Sequence, residues 1–144
     1  MTVKEYFEQG LHLEDRIKLE LKQIENLKVL AYSLSSPGFQ ESFQATRNIE
    51  APYTKTIEKI LDMEKKHAEQ VEMLLQFRDE LSEVIETVED KNERMVLTYH
   101  YLCNETWVSI GNKLEKNEKT IRRWHHSALQ HVVMPDTPTV LEKD

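Results

Sequence analysis

The chain has 144 residues, enough for one ordinary domain or a small domain on an elongated helical arm, and too few for a large multidomain enzyme. Only 3 Gly and 4 Pro punctuate a sequence rich in Glu, Lys and Leu, which favours long helices over turn-rich sheets and predicts an all-α fold. The formal charge of -7 argues against a general attraction to nucleic acid, but it is unevenly spread. Residues 1–93 hold 12 basic and 20 acidic side chains, whereas residues 94–131 hold 6 and 3, so a mildly basic module follows an acidic one.

From Val3 to about Leu34, apolar residues recur at three- and four-residue steps (Leu13, Ile17, Ile24, Leu27, Ala31, Leu34) and predict one long amphipathic helix. Ser35-Ser36-Pro37-Gly38 stops it, because proline cannot continue helical hydrogen bonding and glycine readily turns. Phe39 to Pro52 shows no sustained period and reads as a mobile loop. A second helix is expected from near Tyr53 to about Val88, with Ile57, Ile60, Leu61, Ala68, Val71, Leu74, Leu75, Leu81, Ile85 and Val88 along one side. Two such stripes bury one another most simply as a long antiparallel, coiled-coil-like hairpin, and a second subunit would complete the seam as a homodimer. Glu64, His67 and Arg78 interrupt the seam, as a solvated flank or as residues that pair across it.

Glu89-Asp90-Lys91-Asn92-Glu93 is a polar break with helix-starting residues, after which Met95, Val96, Tyr99 and Leu102 share one side of a third, shorter helix. Asn104-Glu105-Thr106 offers a turn and an N-cap oxygen before a helix from Trp107 to Leu114. Glu115-Lys116-Asn117 separates that helix from a last one ending near Val132. This divides the chain into residues 1–88 as an arm, 92–134 as a terminal unit and 135–144 as a flexible, frayed tail.

The terminal unit carries the strongest functional signal. Trp107, Ile110 and Leu114 form one inner face, Ile121, Trp124 and Ala128 the other, and the two meet across a tight turn. Both tryptophans therefore read as core residues. Gly111 is small where the helices approach, and Asn117 is placed to cap the last helix. The outward face of that helix displays Lys119, Arg122, Arg123 and His126, with Lys116, Glu118 and Thr120 at its start. These are side chains suited to phosphate oxygens and base edges in the major groove of double-stranded DNA. His125 and His126 are both expected to donate to phosphate from this face.

The string from Thr106 to Leu129, including its Ala128-Leu129 ending, resembles the helix-turn-helix of region four of bacterial sigma-70-type factors, over about 40 residues from Asn92 onward. The whole arrangement of helical arm, polar loop and terminal unit also resembles small proteins encoded by phages of Gram-positive bacteria, similar to the ArpU and RinA late-gene regulators. The resemblance implies a DNA-binding transcription regulator of phage or prophage type whose second helix enters the major groove while the first supports it. It also implies that the arm mediates dimerisation or contacts RNA polymerase. Two residues depart from the pattern. Glu115 stands where such turns often have glycine, so a left-handed backbone there carries strain. Glu118 replaces a commonly base-reading arginine, leaving it either to accept from a cytosine amine or to complement the helix N-terminus.

The competing reading is a helical adaptor whose terminal unit docks on protein, such as RNA polymerase or another regulator, without touching DNA. The spacing of His100, Cys103, His125, His126 and His131 lacks the paired-ligand pattern of a structural metal site. Without a nucleophile motif or glycine-rich phosphate loop, neither catalysis nor a cofactor is expected. No apolar run reaches membrane-spanning length, Met1-Thr2-Val3-Lys4-Glu5 lacks the order of a secretory signal, and the lone Cys103 suits a reducing compartment. The expectation is a cytoplasmic protein away from membranes.

Overall fold

A computed structural model of the chain describes residues 1–35 and 50–141, with side chains described outside positions 50–53. Among these residues the fold is all-α, with no strand. The helices are α1 (Val3–Glu8), α2 (Leu13–Ser35), α3 (Glu50–Glu86), α4 (Lys91–Leu97), α5 (Trp107–Leu114) and α6 (Glu118–His131), and α4 runs on into a π-helical turn at Thr98–Leu102. The long α2–α3 pair is the expected helical hairpin, and α3 begins three residues earlier than the apolar period suggested. The loop expected over residues 39–52 lies outside the described residues as far as residue 49. No helix among the described residues is long and apolar enough to cross a membrane.

Instead of one helix from Val3 to Leu34, the chain breaks between Glu8 and Leu13. His12 adopts a left-handed backbone, φ 60°, and its N–H is donated to the Asn104 side-chain oxygen at 2.9 Å. At Gly10 a Cβ would lie 2.5 Å from Leu81 Cδ2 and 3.2 Å from the Phe7 carbonyl oxygen, so the break brings backbone where a side chain would not fit. The short α1 is held by a reciprocal cap in which the Thr2 hydroxyl accepts from the Glu5 N–H and the Glu5 carboxylate accepts from the Thr2 N–H.

Two compact units result: Met1–Asp15 together with Leu74–Asp144, and Arg16–Met73. The expected arm of residues 1–88 is therefore divided between them. In the first unit, Tyr6 and Phe7 are fully buried, packing edge-on against Phe77 at 5.5 Å and tilted against Tyr101 at 5.0 Å respectively. Leu74, Leu81, Val84, Ile85 and Val88 from the end of α3 are buried in the same unit. The Tyr6 hydroxyl donates to Glu80 at 2.6 Å, which keeps a buried phenol satisfied, and burial raises its pKa.

The tail is a strap rather than a frayed end as far as residue 141. The Thr139 N–H and hydroxyl are donated to the two Glu80 carboxylate oxygens at 3.2 and 2.9 Å. The Gln9 amide grips the same segment, donating to the Thr139 carbonyl at 3.0 Å and accepting from the Leu141 N–H at 2.8 Å. Val133 N–H is satisfied by the Thr87 hydroxyl. These partners come from far away in sequence and are invisible to local composition.

In the second unit, Ile17 and Ile60 are the buried apolar residues among those described, with Ile24, Leu27, Ala31 and Leu34 half-buried along the expected line of α2. His67 does not face solvent alone: its Nδ1 meets Glu20 at 2.5 Å. Leu61 and Ala68, expected on the inner stripe of α3, point outward instead, as Leu75 does in the first unit. Leu19, Leu21, Val29, Leu30, Tyr32 and Met63 are exposed as well.

Candidate nucleic-acid interface

The terminal helices assemble as the spacing of their apolar residues requires. Val96, Ile110 and Ile121 are fully buried, and Tyr99, Trp107, Leu114 and Trp124 pack around them. Each helix start is capped by the side chain placed for it. Asp90 accepts from Glu93 N–H at 3.0 Å, Thr106 from Ser109 N–H at 3.1 Å and Asn117 from Thr120 N–H at 2.8 Å. The turn between α5 and α6 depends on two residues. Glu115 takes the left-handed conformation, φ 56° and ψ 42°, despite its side chain. Gly111 lies so close to the returning chain that a Cβ would be 2.6 Å from the Lys116 carbonyl oxygen.

The far end of α6 is fastened by a residue whose role the sequence did not signal. Glu93 is only 7% exposed, and its carboxylate accepts from the Ser127 hydroxyl at 2.6 Å and faces His131 Nδ1 at 2.8 Å. A buried carboxylate with such partners fixes orientation, because removing either would leave a desolvated polar group. Glu93 is itself in the first turn of α4, so α6 is tied to α4 at its C-terminal end and packed on α5 at its N-terminal end.

Between these ends lies a nest of rings. His100 stacks on Trp107 at 3.9 Å, and His125 lies 4.6 Å from Trp107 and 5.8 Å from His100. The Tyr101 hydroxyl is 2.6 Å from His125 Nε2. Burial, aided by His100, Lys4 and His126, lowers the His125 pKa to about 4, and burial lowers that of His100 against the opposing hydrogen bond it donates to the Glu105 carbonyl. Burial raises the Tyr101 phenol, which therefore stays protonated and donates to a neutral imidazole. His125 is thus half-buried in the ring nest, with Nε2 committed to Tyr101, and not the expected phosphate donor beside His126. Its ring falls on the inner side of α6, where the apolar period alone places Trp124.

The outward face of α6 and the turn before it carry the remaining expected residues. Lys116, Lys119, Arg123 and His126 are exposed, and Lys116, Lys119 and Arg123 have no ion-pair partner among the described residues. Thr120 is half-buried, with its N–H committed to the Asn117 cap. Arg122 is tethered: its Nε and Nη2 donate to Glu118 Oε1 at 3.0 and 2.7 Å, and its guanidinium sits 5.9 Å over the Trp107 ring. Lys113 on α5 is also engaged, by Glu105 at 2.8 Å and over the Tyr99 ring. The pair lowers the Glu105 carboxyl and raises the Lys113 amine. The face is therefore a row of free cations beside one paired arginine, on a helix held at both ends. Fold and site together define an all-α chain ending in a helix-turn-helix; no protein-family model, curated protein or solved structure matches it.

Proposed function

We propose that the C-terminal unit binds double-stranded DNA through α6 and that the protein is a transcription regulator of phage or prophage type. The observation that carries this reading is the exposed Lys119, Arg123 and His126 on a helix whose opposite face is locked into a packed core, with Lys116 exposed in the turn before it. Lys116, Lys119 and Arg123 carry positive charge that no ion pair among the described residues neutralises, and their contacts with phosphates would release counterions. An end-capped helix projecting from a small trihelical core is also the geometry that enters a major groove. The charge is local, so it survives the acidic average of the chain.

The arm fits a role in self-association. The Arg16–Met73 unit, with Ile17 and Ile60 as the buried apolar side chains among its described residues and with Leu19, Leu21, Leu30, Tyr32, Leu61 and Met63 exposed, gains core by pairing with another copy. A dimer would bring two α6 helices to one duplex.

The test is titration of a pool of random-sequence duplexes, followed by fluorescence anisotropy across a salt series. The double substitution Lys119→Ala with Arg123→Ala is expected to weaken binding by about 10- to 100-fold near 0.1 M salt. It should also reduce the slope of log affinity against log salt by roughly two contacts' worth. Parent and variant binding with the same affinity and the same slope would remove α6 from any DNA interface.

A further inference from the structure

The free cations of α6 and the tethered Arg122 behave differently toward an anion. Arg122 spends its Nε and Nη2 donors on Glu118 Oε1, one turn back on the same face, at 3.0 and 2.7 Å. Its guanidinium also lies over the Trp107 ring at 5.9 Å, against α5 rather than extended from the helix. Both members of the pair are well exposed, at 60% and 44% of the side chain, so the pairing is a surface event open to competition. Glu118 in addition places a negative charge at the N-terminal turn of α6, between Lys116 and Lys119 in sequence and close to where a backbone phosphate would approach.

From this geometry we propose that Glu118 masks Arg122 and thereby holds down the affinity of α6 for DNA of arbitrary sequence, which makes it a specificity-determining residue. This rests on the DNA-binding reading above. A phosphate that takes Arg122 from Glu118 must replace both hydrogen bonds and leaves a carboxylate beside other phosphates. A random duplex therefore gains from Lys119 and Arg123 but little from Arg122. Only a site that gives both residues of the pair a partner recovers the contact, and discrimination arises from the penalty elsewhere. Without the mask, a helix bearing four neighbouring donors would be drawn to any duplex, and competing sites are always in large excess.

The experiment is a double-mutant cycle on the full chain, read with random-sequence duplexes of fixed length over a salt series. Glu118→Gln keeps the side-chain size and removes the charge, and unchanged circular dichroism and thermal midpoint confirm that the helix is intact. Glu118→Gln is expected to tighten random-duplex binding by about five- to tenfold near 0.1 M salt and to steepen the salt slope by about one phosphate contact. In an Arg122→Ala background the same change is expected to gain no more than about twofold. Equal gains in both backgrounds would overturn the proposal, because Glu118 would then act only as a repelling charge. No gain in either, while Lys119→Ala with Arg123→Ala still weakens binding, would overturn the mask and leave the interface standing. If neither Glu118→Gln nor the Lys119 and Arg123 changes alter binding, the interface reading fails and the mask with it.

Discussion

Gly111→Ala is expected to destabilise the C-terminal unit by about 2–3 kcal/mol and to lower its thermal midpoint by about 10 °C. Two effects oppose one another. Alanine is the better helix former, worth about 1 kcal/mol inside a helix such as α5. Against this, its Cβ would stand 2.6 Å from the Lys116 carbonyl oxygen, and that oxygen belongs to backbone and cannot swing aside. The turn is closed from both directions, since the Gly111 carbonyl accepts the Lys116 N–H at 2.9 Å while the Lys116 carbonyl returns over Gly111. Making room means opening the turn that sets α6 on α5, so the clash outweighs the propensity. Differential scanning calorimetry with parent and variant decides it. A variant at least as stable as the parent would show that the turn yields freely and that the close approach has no structural consequence.

The second large effect is a loss of stability between about pH 6.5 and pH 4. An unfolded chain takes up a proton on a histidine near pH 6.5, whereas His125 in the fold resists protonation until about pH 4. In that window the unfolded state binds more protons, so unfolding free energy falls as pH falls, and the contribution is fully present only above the unfolded value. With discount for a ring that is partly solvated, the loss is about 2 kcal/mol from His125, and the lowered pKa of His100 adds in the same direction. Urea unfolding at about pH 7.5, 6, 5 and 4.5 should show this slope in the parent. His125→Gln, which retains an acceptor for the Tyr101 hydroxyl but does not titrate, should flatten it. Identical slopes would exclude His125 as the origin. The Lys113 amine and the Ser109 hydroxyl also depress the Glu105 carboxyl, so its contribution is present above the unfolded carboxylate value and is lost as pH falls through the folded one.

The helix-turn-helix was legible in the sequence because its determinants are local. Asn117 and Thr106 cap within three residues of themselves, the inner faces repeat at helical spacing, and Gly111 with Glu115 marks the turn. What stayed hidden depends on partners far along the chain. The break before Leu13 is secured by Asn104 and Leu81, and the strap is secured by Gln9 and Glu80. The apolar period runs through Gly10-Leu11-His12 without a strong breaker, so α1 and α2 read as one. On α3, Leu61, Leu75 and Ala68 keep an apolar period while facing outward, and Phe77 and Val84 take inward places that the expected stripe omitted. On α6 the basic face was found, but its division into free and paired cations needed coordinates, since Glu118 and Arg122 at this spacing can equally point apart. His125 was misplaced because histidine carries no apolar signal of its own.

The stacking of Trp107 on His100 gives the protein a built-in optical reporter. The chain's two tryptophans, Trp107 on α5 and Trp124 on α6, both lie in the unit formed by Met1–Asp15 and Leu74–Asp144, and residues 16–73 contain none. With tryptophan excited selectively, emission follows that unit alone, and a protonated imidazole in contact with the indole quenches it. Steady-state fluorescence thus reads the charge state of the ring nest beneath the basic face of α6, while the Arg16–Met73 unit carries no tryptophan of its own and is followed by its backbone ellipticity.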